Sequence, residues 1–132
     1  MGSLILKIGK TWMTSIATNS GRVKRKSSLL IVKKTVQVGR LEHNHIEFID
    51  KGSYESEGKP TVLVKSISRD HLEFIKSFSG WRVKDVGSLA GTFLRRGREK
   101  IKLEKGKKVK LKEKDKLCLA FDDKLTFLVV DV

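Results

Sequence analysis

Three short polar segments stand where apolar runs end, and their residue types suit the gripping of a phosphate group. They are Val38-Gly39-Arg40, then Ser66-Ile67-Ser68-Arg69-Asp70-His71, then Asp85-Val86-Gly87-Ser88-Leu89-Ala90-Gly91-Thr92-Phe93-Leu94. A phosphate site needs a fixed cation, one or two hydroxyl or amide donors, and a rigid scaffold that holds them on loops. Arg40 offers a planar guanidinium that can hold two oxygens, and Ser68 a short hydroxyl donor. Arg69 adds a second positive charge beside it. Gly39 lets the backbone turn sharply without a Cβ clash.

Other chemistries find less support. In Glu42-His43-Asn44-His45, two histidines two apart on a strand would share one face. A zinc site needs three or four ligands, and nothing nearby completes the set. The segment reads instead as the loop leading into Ile46-Glu47-Phe48-Ile49. There is no paired-carboxylate motif, no nucleotide-type glycine loop and no nucleophile elbow, so neither an enzyme nor a cofactor is expected. Cys118 lies in the apolar run Leu117 to Phe121 and reads as a buried core thiol. A lone cysteine forms no internal disulfide, which points to a reducing, intracellular compartment. No apolar run reaches the length of a membrane-spanning helix, and no membrane partner is expected.

The elements that must position these residues are strands. Trp81 and Val83 alternate with Arg82 and Lys84, a pattern that breaks at Asp85-Val86. Ile101 and Leu103, then Val109 and Leu111, alternate with lysines in the same way. Such alternation marks strands with one buried and one wet face. Turn signals punctuate the runs, among them Asn19-Ser20-Gly21, Lys51-Gly52-Ser53, Gly58-Lys59-Pro60, Ser79-Gly80, Arg96-Gly97 and Asp122-Asp123. Strands are expected near 3–9, 28–33, 35–39, 45–49, 61–65, 71–76, 81–86, 92–95, 99–103, 108–112, 116–121 and 124–131. Residues 10–27 carry no clear pattern, and Lys24-Arg25-Lys26 is either a basic loop or the start of a strand. Many short strands without an amphipathic helix predict an all-β sandwich or barrel. The 132 residues suit one domain spanning 1–132, with a single core and a monomeric state assumed. Trp81 and the phenylalanines are assigned to that core.

The formal net charge is +14. It predicts attraction to polyanions, whether phosphoproteins, nucleic acid or acidic membrane surfaces. Arg95 to Lys116 alone holds twelve basic and four acidic residues. Lysines on alternate positions also keep an edge strand from pairing with other chains. That accounts for the alternation but not for the whole excess.

The order Gly-Arg, then Ser-x-x-His, then Asp-x-x-Ser-x-x-Gly-Thr-Phe resembles the signature of forkhead-associated (FHA) domains. The run Trp81-Arg82-Val83-Lys84-Asp85-Val86 and its surroundings are most similar to the FHA domains of mitotic-checkpoint ubiquitin ligases. The resemblance implies a β-sandwich of two antiparallel sheets with recognition loops at one end. It implies a non-catalytic adaptor that reads phosphothreonine in a protein partner, with nuclear cell-cycle or DNA-damage signalling as the setting. Arg40 and Ser68 match the phosphate-contacting residues, and Arg69 a variable position facing the peptide. Leu89 and Ala90 fall on the peptide-facing part of the third segment. Gly39, His71, Ser88, Gly91 and Thr92 match loop-supporting positions, His71 from within. The family places Asn where this chain has Ala90, and that Asn bonds the peptide backbone. Loss of one neutral hydrogen bond costs about 0.5–1.5 kcal/mol, so affinity would fall by about tenfold while the phosphate grip survives. Arg95-Arg96-Gly97 stands where the family often has Asn-Gly; with Arg69, the two arginines suggest acidic residues in the peptide. Two further readings follow from the charge and from Ala90: a basic nucleic-acid-binding domain, and a phosphate-independent interaction module on the same scaffold.

Overall fold

The computed structural model describes residues 2–9, 16–49, 66–120 and 125–132. Every regular element among them is a strand: β1 (Leu4–Ile8), β2 (Ile16–Thr18), β3 (Val23–Lys26), β4 (Leu29–Val32), β5 (Val36–Gly39), β6 (Ile46–Phe48), β7 (Leu72–Ser77), β8 (Gly80–Asp85), β9 (Thr92–Arg96), β10 (Glu99–Lys102), β11 (Val109–Lys110), β12 (Lys116–Leu119) and β13 (Thr126–Asp131). They form a seven-stranded sheet, β10-β9-β12-β13-β1-β4-β3, and a six-stranded sheet, β11-β8-β7-β5-β6-β2. All pairings are antiparallel except β5 with β6, which run parallel through Val38↔Ile46 and Gly39↔Glu47. The expected strand at 61–65 and the hairpin turn at Asp122-Asp123 lie outside the described residues.

Alternation drives this arrangement. Leu4, Leu6 and Ile8 of β1 are buried, as are Trp81 and Val83 of β8 and Phe127 and Val129 of β13, while their neighbours face outward. The two buried faces close on each other, with Phe127 from one sheet making edge contacts to Phe74 (5.6 Å) and Phe48 (5.9 Å) from the other. Edge-on geometry sets the positive ring edge against the negative ring face, adding about 0.5–1.5 kcal/mol per pair to the burial itself. Cys118 is buried in β12.

One observation decides an alternative that the sequence leaves open, and two correct the sequence reading. Residues 16–18 and 23–26 are strands, so the basic run Lys24-Arg25-Lys26 is β3. Phe78 is not a core residue: it sits on the β7–β8 turn, 99 % exposed. The alternation of β8 does not stop at Val83 but carries Asp85 inward as well, 3 % exposed.

Candidate phosphate-binding site

Strand direction gathers the three polar segments. Val38 near the end of β5 lies beside Leu72 at the start of β7, and Leu72 lies beside Asp85 at the end of β8. The segments 40–45, 66–71 and 86–91 therefore emerge at one end of the sandwich. The backbone binds them further, through Arg40 N–H to Ser68 O (3.2 Å), His71 N–H to Val38 O (2.9 Å) and Val86 N–H to His71 O (3.1 Å).

Gly39 holds the first contact. A Cβ there would collide with the Arg69 carbonyl and press on Asn44 Nδ2. The glycine is required by this close approach of two backbones rather than by an unusual φ. Arg40 Nε donates to the Ile67 carbonyl, which aims the guanidinium, and its two Nη groups have no partner among the described residues. Ser68 Oγ accepts the Leu89 N–H at 2.8 Å. A hydroxyl that accepts in this way still has its own hydrogen to donate outward. Arg69 is exposed at the same rim. Leu89 is 96 % exposed and Ala90 half-buried beside it.

His71 is fully buried between the loops. Its Nδ1 accepts the Ser68 N–H (3.0 Å), which assigns the proton to Nε2, and Nε2 donates to the Gly91 carbonyl (3.0 Å). Burial lowers its pKa, outweighing the Gly91 carbonyl and the Asp85 charge, so the ring is neutral at physiological pH. The Gly91 carbonyl also accepts the Ala120 N–H (2.9 Å), which ties the loop to the second sheet. Gly91 itself sits at φ +94°, a conformation that side-chain-bearing residues avoid.

Two residues outside the sequence-derived set hold the loops together. Asp85 Oδ1 accepts the N–H groups of Gly87 (2.7 Å) and Ser88 (2.8 Å), and Oδ2 accepts the hydroxyls of Ser88 and Thr92 (2.7 Å). Burial alone would raise its pKa, but these four hydrogen bonds prevail and hold the carboxyl below its ordinary value. Ser88 Oγ in turn accepts the Gly91 N–H (3.1 Å), closing the turn. Asn44, fully buried, donates through Nδ2 to the carbonyls of Leu41 (2.9 Å) and Arg69 (2.8 Å). The signal for Asp85 is present in the sequence, since an aspartate two residues before Gly-Ser favours a turn in which its carboxylate takes the backbone N–H groups that follow. Asn44 gives no such signal, because one of its two partners, the Arg69 carbonyl, arrives from a distant segment.

The remaining candidates fall elsewhere. His43 and His45 lie in the β5–β6 loop and do not share a site: His43 Nε2 pairs with Asp70, and His45 Nδ1 accepts the Gln37 N–H (2.9 Å). No group of three or more His, Cys, Asp or Glu suited to a metal occurs among the described residues. Arg96 does not face a peptide. It lies at the far end of β9, where Nε and Nη2 grip Asp115 at 2.8 and 2.7 Å. The cations nearest the third loop are instead Lys102 and Lys105, which with Leu89 and Glu104 line a cleft of about 410 Å³.

Comparison with known proteins agrees with this geometry. The family model described as "FHA domain" matches residues 36–120, which include all three polar segments. No curated protein matches the chain significantly. Among solved structures, the FHA domain of an Arabidopsis thaliana hypothetical protein is similar with a TM-score of 0.63 and 24% identity, covering 100% of this chain and 87% of that one. The FHA domain of a Chlamydia trachomatis protein is similar at 0.58 and 19% identity, covering 99% of each. The MEK1 FHA domain in complex with a phosphothreonine peptide of HOP1 is similar at 0.54 and 22% identity, covering 82% of this chain and 92% of that one. At such identities the neighbours speak for the fold, and the family rests on the match across well over half of the sequence: the chain belongs to the FHA domain family.

Proposed function

We propose that this domain reads phosphothreonine in a protein partner and acts as an adaptor rather than a catalyst. The observation that carries the reading is the convergence of Arg40 and Ser68, each fixed by a hydrogen bond that leaves its outward donors free. Fixed donors that need no reordering on binding are what a phosphate requires. The similar MEK1 FHA domain holds a phosphothreonine peptide, which supports the same class of ligand here. Arg69, Lys102 and Lys105 around the rim favour acidic residues in the peptide. The run Trp81 to Val86 supports kinship with checkpoint ubiquitin-ligase FHA domains and hence a cell-cycle setting.

The test is fluorescence anisotropy with a degenerate phosphothreonine library and matched phosphoserine and unphosphorylated peptides at physiological salt. Wild type should bind the phosphothreonine set alone. Loss of a hydrogen bond to a charged group costs about 1.5–3 kcal/mol, so Arg40→Ala should weaken binding by at least about tenfold. Ser68→Ala should do likewise, losing both the outward donor and the tether to Leu89. Equal binding of the unphosphorylated set would overturn the reading in favour of a phosphate-independent module.

A further inference from the structure

The outer face of the seven-stranded sheet carries a cross-strand row of cations that the peptide site does not use. Register places Lys26 of β3 beside Leu29 of β4, Leu29 beside Lys7 of β1, and Lys7 beside Leu128 of β13. The row continues through Lys116 of β12, Arg95 of β9 and Lys100 of β10. Each strand contributes one residue, and five of the seven are cationic. Five of these positions point outward because their neighbours Leu6, Leu30, Leu94, Leu117 and Phe127 are buried, and Lys26 and Lys100, paired with Leu29 and Arg95, share that face. Lys24 extends the face beside the row. At the row's end Arg98 and Lys114 join Arg95, Lys100 and Lys116 around a shallow cleft of about 530 Å³, which Glu99 alone borders with negative charge. Among the described residues, Lys7, Lys24, Lys26, Lys100 and Lys116 have no carboxylate partner.

The opposite sheet shows that this is no general property of the surface. There the corresponding row runs Gln37, Glu73 and Lys84, and Lys84 is paired with Glu73 at 3.4 Å. The positive charge is thus concentrated on one broad face.

We propose that this face binds the phosphate backbone of double-stranded nucleic acid without reading its sequence. Strands lie about 4.8 Å apart, so seven of them span roughly 29 Å. That matches about 8 base pairs at 3.4 Å each, a length of duplex dense enough in phosphate to meet every cation of the row. Single strands are held by exposed aromatic platforms on which bases stack. The aromatic residue here, Phe93, is half-buried and covered by Lys100 Nζ at 5.1 Å from its ring centre. An anionic membrane would be gripped by protruding apolar residues among the cations, whereas Leu29 and Leu128 lie half-buried between strands. The cleft at Arg98 sits at the end of β9 away from the peptide loops, about 13 Å along the strand from Thr92. Both surfaces can therefore be occupied together, and the inference stands apart from the phosphothreonine reading.

The test is anisotropy of the full chain with a labelled random-sequence 20-base-pair DNA duplex between 50 and 200 mM salt. Wild type should bind with a slope of log K on log salt of about −3.6 to −5.4, reflecting about four to six neutralised phosphates. Lys7→Glu/Lys100→Glu/Lys116→Glu should weaken binding at least about tenfold and flatten the slope. Lys108→Glu/Lys110→Glu/Lys112→Glu, an equal change of net charge on the β11 side, should weaken it far less. The Lys7→Gln/Lys100→Gln/Lys116→Gln variant, which asks less of the fold, should fall between wild type and the charge reversal, and Arg40→Ala should match wild type. Equal losses in the two reversed variants would show a net-charge effect and overturn the proposal. So would tighter binding to phosphatidylserine vesicles, or to single-stranded DNA, than to the duplex.

Discussion

Ala90 sits half-buried beside the exposed Leu89, on a loop whose other positions are fixed by Asp85, Ser88 and Ser68. An asparagine at this point would add an amide at the rim of the proposed peptide site. Ala90→Asn should therefore tighten phosphothreonine-peptide binding by up to about tenfold, the worth of one neutral hydrogen bond, in the same anisotropy titration. Unchanged affinity would mean that the peptide crosses the loop elsewhere. His71 makes a second prediction. Its folded-state pKa is lowered from 6.5, so between that value and the lower folded one the unfolded chain binds more protons. Stability should fall as the pH drops below about 6.5, seen as an earlier denaturant midpoint at pH 5.5 than at pH 7.5. Half-buried His45 is shifted the same way, by burial and then by Arg22, so His71→Asn should remove only part of the difference. Stability is the better readout here, because a phosphate group itself titrates near pH 6. At this scale the sequence was legible where chemistry is local: Arg40 and Ser68 announce themselves by type and by their place at strand ends. Asn44 was not, since one of its two carbonyl partners, that of Arg69, is set by how two distant loops cross.

The elements show how alternation can be right and still mislead. In β8 the inward series is Trp81, Val83, Asp85, and only the hydropathy breaks, because the last member meets hydroxyls and N–H groups instead of methyls. In β3 a single buried valine is followed by Lys24 and Lys26 on the wet face, while Arg25 reaches to the Ile16 carbonyl at 3.0 Å. Nothing in four such residues distinguishes a strand from a loop. β2 is three residues long, too short for any period to register. By sequence Arg95 and Arg96 suggest charge facing the peptide, yet Arg96 lies with Asp115, which is 1 % exposed and also receives the Lys112 N–H at 2.8 Å. Arg96→Leu would leave that carboxylate buried without its cation. We expect a loss of about 3–5 kcal/mol in urea unfolding with the m-value unchanged. A loss below about 1 kcal/mol would show the pair to be solvated.

For the molecule as a whole, the sandwich was foreseeable because closely spaced strands and tight turns leave few other ways to bury alternating faces. The parallel pairing of β5 with β6 was not, since antiparallel neighbours are the ordinary outcome of so short a connection. The net charge of +14 was plain from composition, but its concentration on one sheet emerges only from register, which brings Lys7 and Lys26 level with Lys100 across seven strands. Such a body should draw acidic phosphopeptides from a distance. Raising salt from 50 to 300 mM should slow stopped-flow association several-fold while changing dissociation little. A dissociation rate that rises as steeply would place the charge effect in the contact itself.

The brief excursion of the chain between β5 and β6 has a thermodynamic consequence. Six residues, Arg40 to His45, leave one strand and rejoin its neighbour, pinned by Asn44 on the inside and by the Arg40–Ile67 contact on the outside. Ordering a backbone residue costs about 1–2 kcal/mol in conformational entropy. Here that entropy is surrendered once, when the chain folds. A ligand arriving at Arg40 meets a loop with little freedom left to lose, so the enthalpy of its charge-assisted contacts is spared a large opposing entropy from the protein side.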